Sequence, residues 1–336
     1  MSRAFHGLAT GIGSLPFSDP QTAVDTVLTH CPELPFWPQL PKRHPHEGML
    51  AQFMEGFPAG DGTGLEEFYA HIIDGDSGYF KVSEGYAAGL YAFKKTLHDN
   101  PALLHKIQSI KCHITGPFTT AAGINGPDGK PLLYDHAFFQ AFVKGLAMKA
   151  LWQVEFFREF GKPRIVFIDE PYLGCFGSAF TPLNREDALA GLGELTAAIA
   201  SEEVLTGVHC CGNTDWSIFT ETPRLDIINF DAYNYSENLL LYAAELKKFL
   251  GRGGILCWGI VPTQELPAGS TAQALAAKVS AGVDVLVKKG IDRQLVQRQM
   301  MISPACGLGT RTPEAAEEAL RLLHETSLIL QEASHG

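Results

Sequence analysis

The chain has 336 residues, 46% hydrophobic and 19% charged, with 26 basic residues against 37 acidic ones and a formal net charge of −11. This mixture is too apolar for a disordered chain, and no run approaches the roughly 20 uninterrupted apolar residues that span a bilayer. Basic residues come in ones and twos, as at Lys42-Arg43 and Lys94-Lys95, which argues against nucleic acid as a partner because no patch matches a run of phosphates.

In chain order, short apolar runs fall at residues 8–15, 34–40, 110–116, 164–170, 204–211, 226–233, 255–261 and 299–306. Each has the length of a buried strand. The segments between them are mostly long enough for crossover helices. Residues 134–160 place Phe138, Phe139, Phe142, Leu146, Leu151 and Val154 mostly at helical spacings, which predicts an amphipathic helix. Residues 184–201, 271–289 and 312–332 read the same way, and Thr312-Pro313-Glu314 is a capped start with proline in the first turn. This rhythm predicts a single (β/α)8 TIM barrel over residues 1–336. Residues 41–109 form an insertion longer than one crossover needs, with a loop rich in Gly, Pro and Asp at 56–64 and a helical stretch near 84–104. It is expected to contribute to a lid. A doubly wound open sheet is the other architecture, but no G-x-G-x-x-G turn follows the first run.

The amino terminus, MSRAFHGLATGIGSLPF, has no long apolar core before a small-residue cleavage site, and the cysteine count is odd, at seven. Both features predict a cytoplasmic protein with reduced thiols. Cys31, Cys112, Cys175 and Cys257 stand alone and read as packing residues. The carboxyl ends of the runs, where a barrel carries its chemistry, hold Gly13-Ser14, Thr115-Gly116, Asp169-Glu170, His209-Cys210-Cys211, Asp231 and Cys306. His209 and Cys211 alternate with Cys210 on an extended chain and therefore share a face. With Cys306 they form a soft donor set suited to zinc. The same residues also fit ordinary packing at a buried strand end, and the residues alone leave that choice open. Asp169 and Glu170 point opposite ways, so one of them faces the cavity; the alternative role of the pair is a cap or a turn. Residues 11–14 offer backbone N–H groups and a hydroxyl as a seat for a carboxylate, although Gly-Ser turns are common. Glu47, Glu84 and Trp258 are further candidates for the cavity wall.

Taken together, Ile12-Gly13-Ser14-Leu15-Pro16, Ile114-Thr115-Gly116-Pro117, Ile168-Asp169-Glu170-Pro171, the His209-x-Cys211 pair and Ser303-Pro304-Ala305-Cys306-Gly307-Leu308 followed by Thr310-Arg311 resemble the catalytic carboxyl-terminal barrel of cobalamin-independent methionine synthase. That family sits in a wider group with uroporphyrinogen decarboxylase. The resemblance implies zinc held by His209, Cys211 and Cys306, with Asp231 as the acidic ligand where the family has glutamate. It implies homocysteine as substrate, its carboxylate on Ile12, Gly13 and Ser14 and its ammonium on Asp169, the residue expected to act in catalysis. Zinc would hold the acceptor sulfur as a thiolate, the nucleophilic form.

The folate-using members carry a proton-donating histidine after the seventh strand, in a Gly-Val-Tyr-Asp-x-His-Ser-Pro type segment, and a second barrel. Here residues 259–267 read Gly-Ile-Val-Pro-Thr-Gln-Glu-Leu-Pro, without histidine. The expected methyl donor is therefore a methylated corrinoid, methylcobalamin or a corrinoid carrier protein, with methyltetrahydrofolate as the alternative. Other readings are methyl transfer to another small thiol such as coenzyme M, a decarboxylase-like lyase, and a non-enzymatic zinc or thiol carrier. The lyase needs arginines for a polycarboxylate, yet between Arg3 and Arg158 the chain has only Arg43.

Overall fold

Seven of the eight predicted runs pair into one parallel sheet: β1 (Leu8–Ala9), β2 (Ile110–Thr115), β3 (Arg164–Asp169), β4 (Val204–Cys210), β5 (Ile227–Phe230), β6 (Ile255–Val261) and β7 (Met300–Pro304). The computed structural model describes residues 4–178, 183–267 and 269–335; residues 1–3, at the start of the amino-terminal segment, lie outside them. The strand order is β1-β7-β6-β5-β4-β3-β2, so the first strand lies beside the last and the sheet curls. Runs such as Ile165-Val166-Phe167-Ile168 are apolar throughout because a parallel sheet is covered on both faces.

The run at 34–40 is not a ladder strand. It makes two isolated bridges, Phe36 with Lys111 and Gln39 with Ser14, and so stands between the β2 edge and the chain leaving β1. Its bonds are Lys111 N to Pro35 O at 2.9 Å, Gln39 N to Gly13 O at 3.0 Å and Leu15 N to Gln39 O at 2.9 Å. Pro35 and Pro38 supply no N–H, and a strand with two such gaps cannot complete a ladder. Among the described residues the sheet therefore has seven strands rather than eight.

The predicted helices form at His136–Phe156, Arg185–Ile199, Ala272–Lys288 and Pro313–His335. Each start is capped by a side chain: Asp135, Asn184 and Thr271 accept from the first turn, and Thr312 Oγ1, at the capped start read from sequence, accepts from Ala315 N at 3.2 Å. Within 41–109, the predicted helical stretch is Ala88–Asp99, followed by a 3-10 turn at Pro101–His105, and a further helix forms at Leu65–Ile73. The α-helix stops where Pro101 removes a donor and biases Asn100 away from the helical region. Much of this insertion packs on the flank, where Phe68 and Phe80 meet Ala141 of the His136–Phe156 helix. Near the site, Pro41, Lys42 and Met49 are its contribution. No helix among the described residues is long and apolar enough to cross a membrane.

The period of two along each strand sorts the two faces. Ile114, Ile168, Val208, Ile228 and Leu256 face the helices. On the other face, Leu8, Ile165, Phe167, Ile227, Ile255, Cys257 and Met301 pack together. Lys111, His113, Thr115, Asp169, His209, Asn229 and Ser303 are buried polar residues of the same alternation. An apolar floor with polar side chains toward the strand ends is the arrangement on which the site is built.

Candidate metal centre and active site

His209 is the penultimate residue of β4, Cys211 follows that strand, and Cys306 lies just beyond β7. Their ligand atoms lie within 4.8 Å of one another, although Cys306 comes from the far side of β5 and β6. The register shift between Gly259 and Val261 accompanies this approach. Gly259 is required there, because a Cβ would stand 2.5 Å from Phe230 O and 2.9 Å from Ala305 Cα. The neighbouring Cys306 thiol holds Cys211 below the ordinary thiol range, and Cys211 together with burial pushes Cys306 above it.

The orientation of His209 is set from behind. Its Nδ1 lies 2.5 Å from Asn229 Oδ1, while Asn229 Nδ2 donates to Cys257 O at 3.0 Å and to Ser303 Oγ at 2.8 Å. Ser303 Oγ in turn donates to Pro304 O at 2.8 Å. With both amide protons of Asn229 committed to acceptors, its oxygen must face the imidazole, and Nδ1 carries the proton. Nε2 is left buried without a hydrogen-bond partner, and its lone pair is the one available to the two thiols. A neutral imidazole held through its other nitrogen, beside two thiols, fits zinc.

Asp231 lines the same cavity but lies outside the group of three. It caps the Ala232–Leu240 helix: Oδ1 accepts from Asn234 N at 2.9 Å and Oδ2 from Asn234 Nδ2 at 2.7 Å. The residue expected as fourth ligand thus has both oxygens engaged. Asp169 ends β3 beside His209, with Oδ1 buried and unpartnered. Burial pushes its carboxyl up to about 6, against the pull of His209 and Lys111. Glu170 points the other way, accepting from Phe118 N and Thr119 N, each at 2.9 Å, and from Thr119 Oγ1 at 2.6 Å. Gly116 makes room for it, since a Cβ there would stand 2.2 Å from the Glu170 carboxyl.

The turn at 12–14 has all three carbonyls held. Lys111 Nζ donates to Ile12 O at 2.6 Å, Gln39 N to Gly13 O at 3.0 Å and Leu308 N to Ser14 O at 3.0 Å. The N–H groups of Ile12, Gly13 and Ser14 donate to no group among the described residues. Gly13 lets this turn lie on the His113 ring, where a Cβ would stand 2.8 Å from Cε1.

Ile12, Ser14, Asp169, His209, Cys211, Asp231 and Cys306 all line one cavity of about 980 Å³. Pro262, Thr263, Gln264 and Glu265 form part of its wall, and Lys42 and Arg311 are its basic residues. Three of the other expected wall residues lie elsewhere. Glu47 is buried against Arg43, Glu84 is exposed, and Trp258 faces the helices, packed on Phe230 and against Gly282. Sequence reading missed Lys111, Asn229 and Ser303. The signal was present in the period of two: Lys111-x-His113-x-Thr115 and Asn229-x-Asp231 interrupt otherwise apolar strands.

Together, fold and site define an α/β protein with a parallel sheet and a His-Cys-Cys cluster at the strand ends. No family model matches the chain, and no curated protein matches it. Among solved structures, a B12-independent methionine synthase from Shewanella sp. W3-18-1, in complex with selenomethionine, is similar to it, at 19% identity and a TM-score of 0.49, over 70% of this chain and 67% of that one.

Proposed function

We propose that the protein is a zinc-dependent methyltransferase that moves a methyl group to the thiol of homocysteine, giving methionine. The observation that carries this reading is the convergence of His209 Nε2, Cys211 and Cys306 beside an unpartnered Asp169 in one cavity. The fold it implies is a cytoplasmic (β/α)8 barrel in which residues 34–40 take the position between β1 and β2.

His209, Cys211 and Cys306 would hold the metal, and Asp231 lines the same cavity, restrained by Asn234. When bound, zinc supplies the Lewis acidity that keeps the acceptor sulfur as a thiolate at neutral pH. Asp169 holds the acceptor's ammonium, which supplies the partner that its buried oxygen lacks. The N–H groups of the 12–14 turn, with the Ser14 hydroxyl, receive its carboxylate. The donor is a methylated corrinoid, free or on a carrier protein. A corrinoid leaves as the reduced cobalt ion and needs no proton, and the wall at 262–265 offers no histidine.

A thiol acceptor without an ammonium group, such as coenzyme M, would leave Asp169 unused. A decarboxylase acting on a polycarboxylate would need more cations than Lys42 and Arg311. X-ray absorption at the zinc edge tests the proposal: added homocysteine is expected to add one sulfur neighbour, and an unchanged shell refutes it. Methionine formation from methylcobalamin but not from methyltetrahydrofolate identifies the donor, and brisk turnover of the folate alone overturns the corrinoid assignment.

A further inference from the structure

Lys111 stands inside β2, fully buried; it makes no direct ion pair among the described residues, and Asp169, at the end of the neighbouring strand, is the carboxylate whose charge it feels. Its Nζ bonds to Ile12 O at 2.6 Å and lies 4.4 Å from the centre of the Phe167 ring. Burying a cation without a direct ion pair is costly, and methionine would fill similar space without that cost. Its position therefore calls for a role beyond packing.

The peptide geometry supplies one. In a trans peptide, the C=O of one residue and the N–H of the next point in opposite directions. Holding Ile12 O fixes the direction of the Gly13 N–H, just as Gln39 N, by holding Gly13 O, fixes that of Ser14. Neither N–H donates to a group among the described residues, and Ile12 and Ser14, on either side of Gly13, line the cavity. An anion received there would meet two aimed donors with a buried positive charge behind the same peptide, an arrangement stronger than neutral hydrogen bonding alone.

We propose that Lys111 is the positioning residue of the acceptor's carboxylate subsite, aiming the Gly13 N–H and providing the countercharge. The inference rests on the reading of this cavity as the homocysteine site. Its test compares homocysteine with 3-mercaptopropylamine, which keeps the thiol and ammonium and lacks the carboxylate, by calorimetric titration of the zinc-loaded protein.

Wild type is expected to bind homocysteine more tightly. Lys111→Met is expected to lose about tenfold or more of that affinity while binding 3-mercaptopropylamine within about twofold of wild type, with zinc content and thermal midpoint as controls of folding. Lys111→Gln keeps a donor without the charge and is expected to fall between the two. Equal losses for both ligands, or none, overturn the role of Lys111. If wild type itself does not distinguish the ligands, the carboxylate subsite and the homocysteine reading fail instead. A readout that needs no variant is the solvent-protected nitrogen signal of the Lys111 side chain in wild type. It is expected to shift with homocysteine and not with the analogue, and no shift with either overturns the proposal.

Discussion

His209 and Asn229 face each other across β4 and β5, with Nδ1 and Oδ1 2.5 Å apart. The contact decides which imidazole nitrogen meets the thiols, because Asn229 is itself locked by Cys257 O and Ser303 Oγ. Asn229→Leu removes the lock while keeping the volume. Zinc affinity, measured by competition with a chelator, is expected to fall about 10- to 100-fold. An unchanged affinity would show that the histidine needs no such support.

The proposed ligands and Asp231 should separate under mutation. Cys211→Ser and Cys306→Ser each remove a thiolate from a three-residue set, and are expected to abolish stoichiometric zinc and the sulfur-to-metal absorption of the cobalt-substituted protein. Asp231→Asn preserves a capping side chain and is expected to keep stoichiometric zinc. Loss of the metal in Asp231→Asn would make Asp231 an essential ligand.

Asp169 is assigned to the ammonium group, so its effect should depend on the acceptor. Asp169→Asn is expected to weaken homocysteine by about tenfold or more, the worth of a hydrogen bond to a charged group. Binding of 4-mercaptobutyrate, which lacks the ammonium, should change little. A parallel loss for both thiols would place Asp169 in the zinc environment instead.

Lys149, on the His136–Phe156 helix, is buried with its Nζ 3.2 Å from Lys81 O. Burial lowers its pKa to about 8 from 10.5, with Glu55 opposing the shift. Between these values the unfolded chain binds a proton that the folded chain does not, so the stability cost of Lys149 fades as pH rises through the window. Lys149→Met is expected to be more stable than wild type near neutral pH, by about 3 kcal/mol, with the advantage shrinking toward pH 10.5. Denaturant midpoints of the two proteins across this range measure it. The comparison must be made between variants, because buried thiols such as Cys112, raised to about 12, drive wild-type stability the opposite way above their ordinary pKa of 9.0. A constant difference would locate the effect in packing rather than charge.

Much of the architecture follows from local pattern. Apolar runs such as 164–170 and 204–211 form strands because both faces of a parallel sheet are buried. The helix starts at Asp135, Asn184 and Thr271 follow from side chains that cap their own first turns. The sharing of one face by His209 and Cys211 needs only the pleat of an extended chain. These features depend on neighbours in sequence and follow from local pattern alone.

Tertiary structure decided what joins distant segments. It brought Cys306 to His209 across two intervening strands. It reduced residues 34–40 to isolated bridges, since whether two prolines are tolerated depends on which N–H groups the neighbouring strands require. It also set Lys111 against Ile12 and Asn229 against His209. Burial and hydrogen bonding between segments remote in sequence depend on strand order and register, which no local pattern of residues specifies.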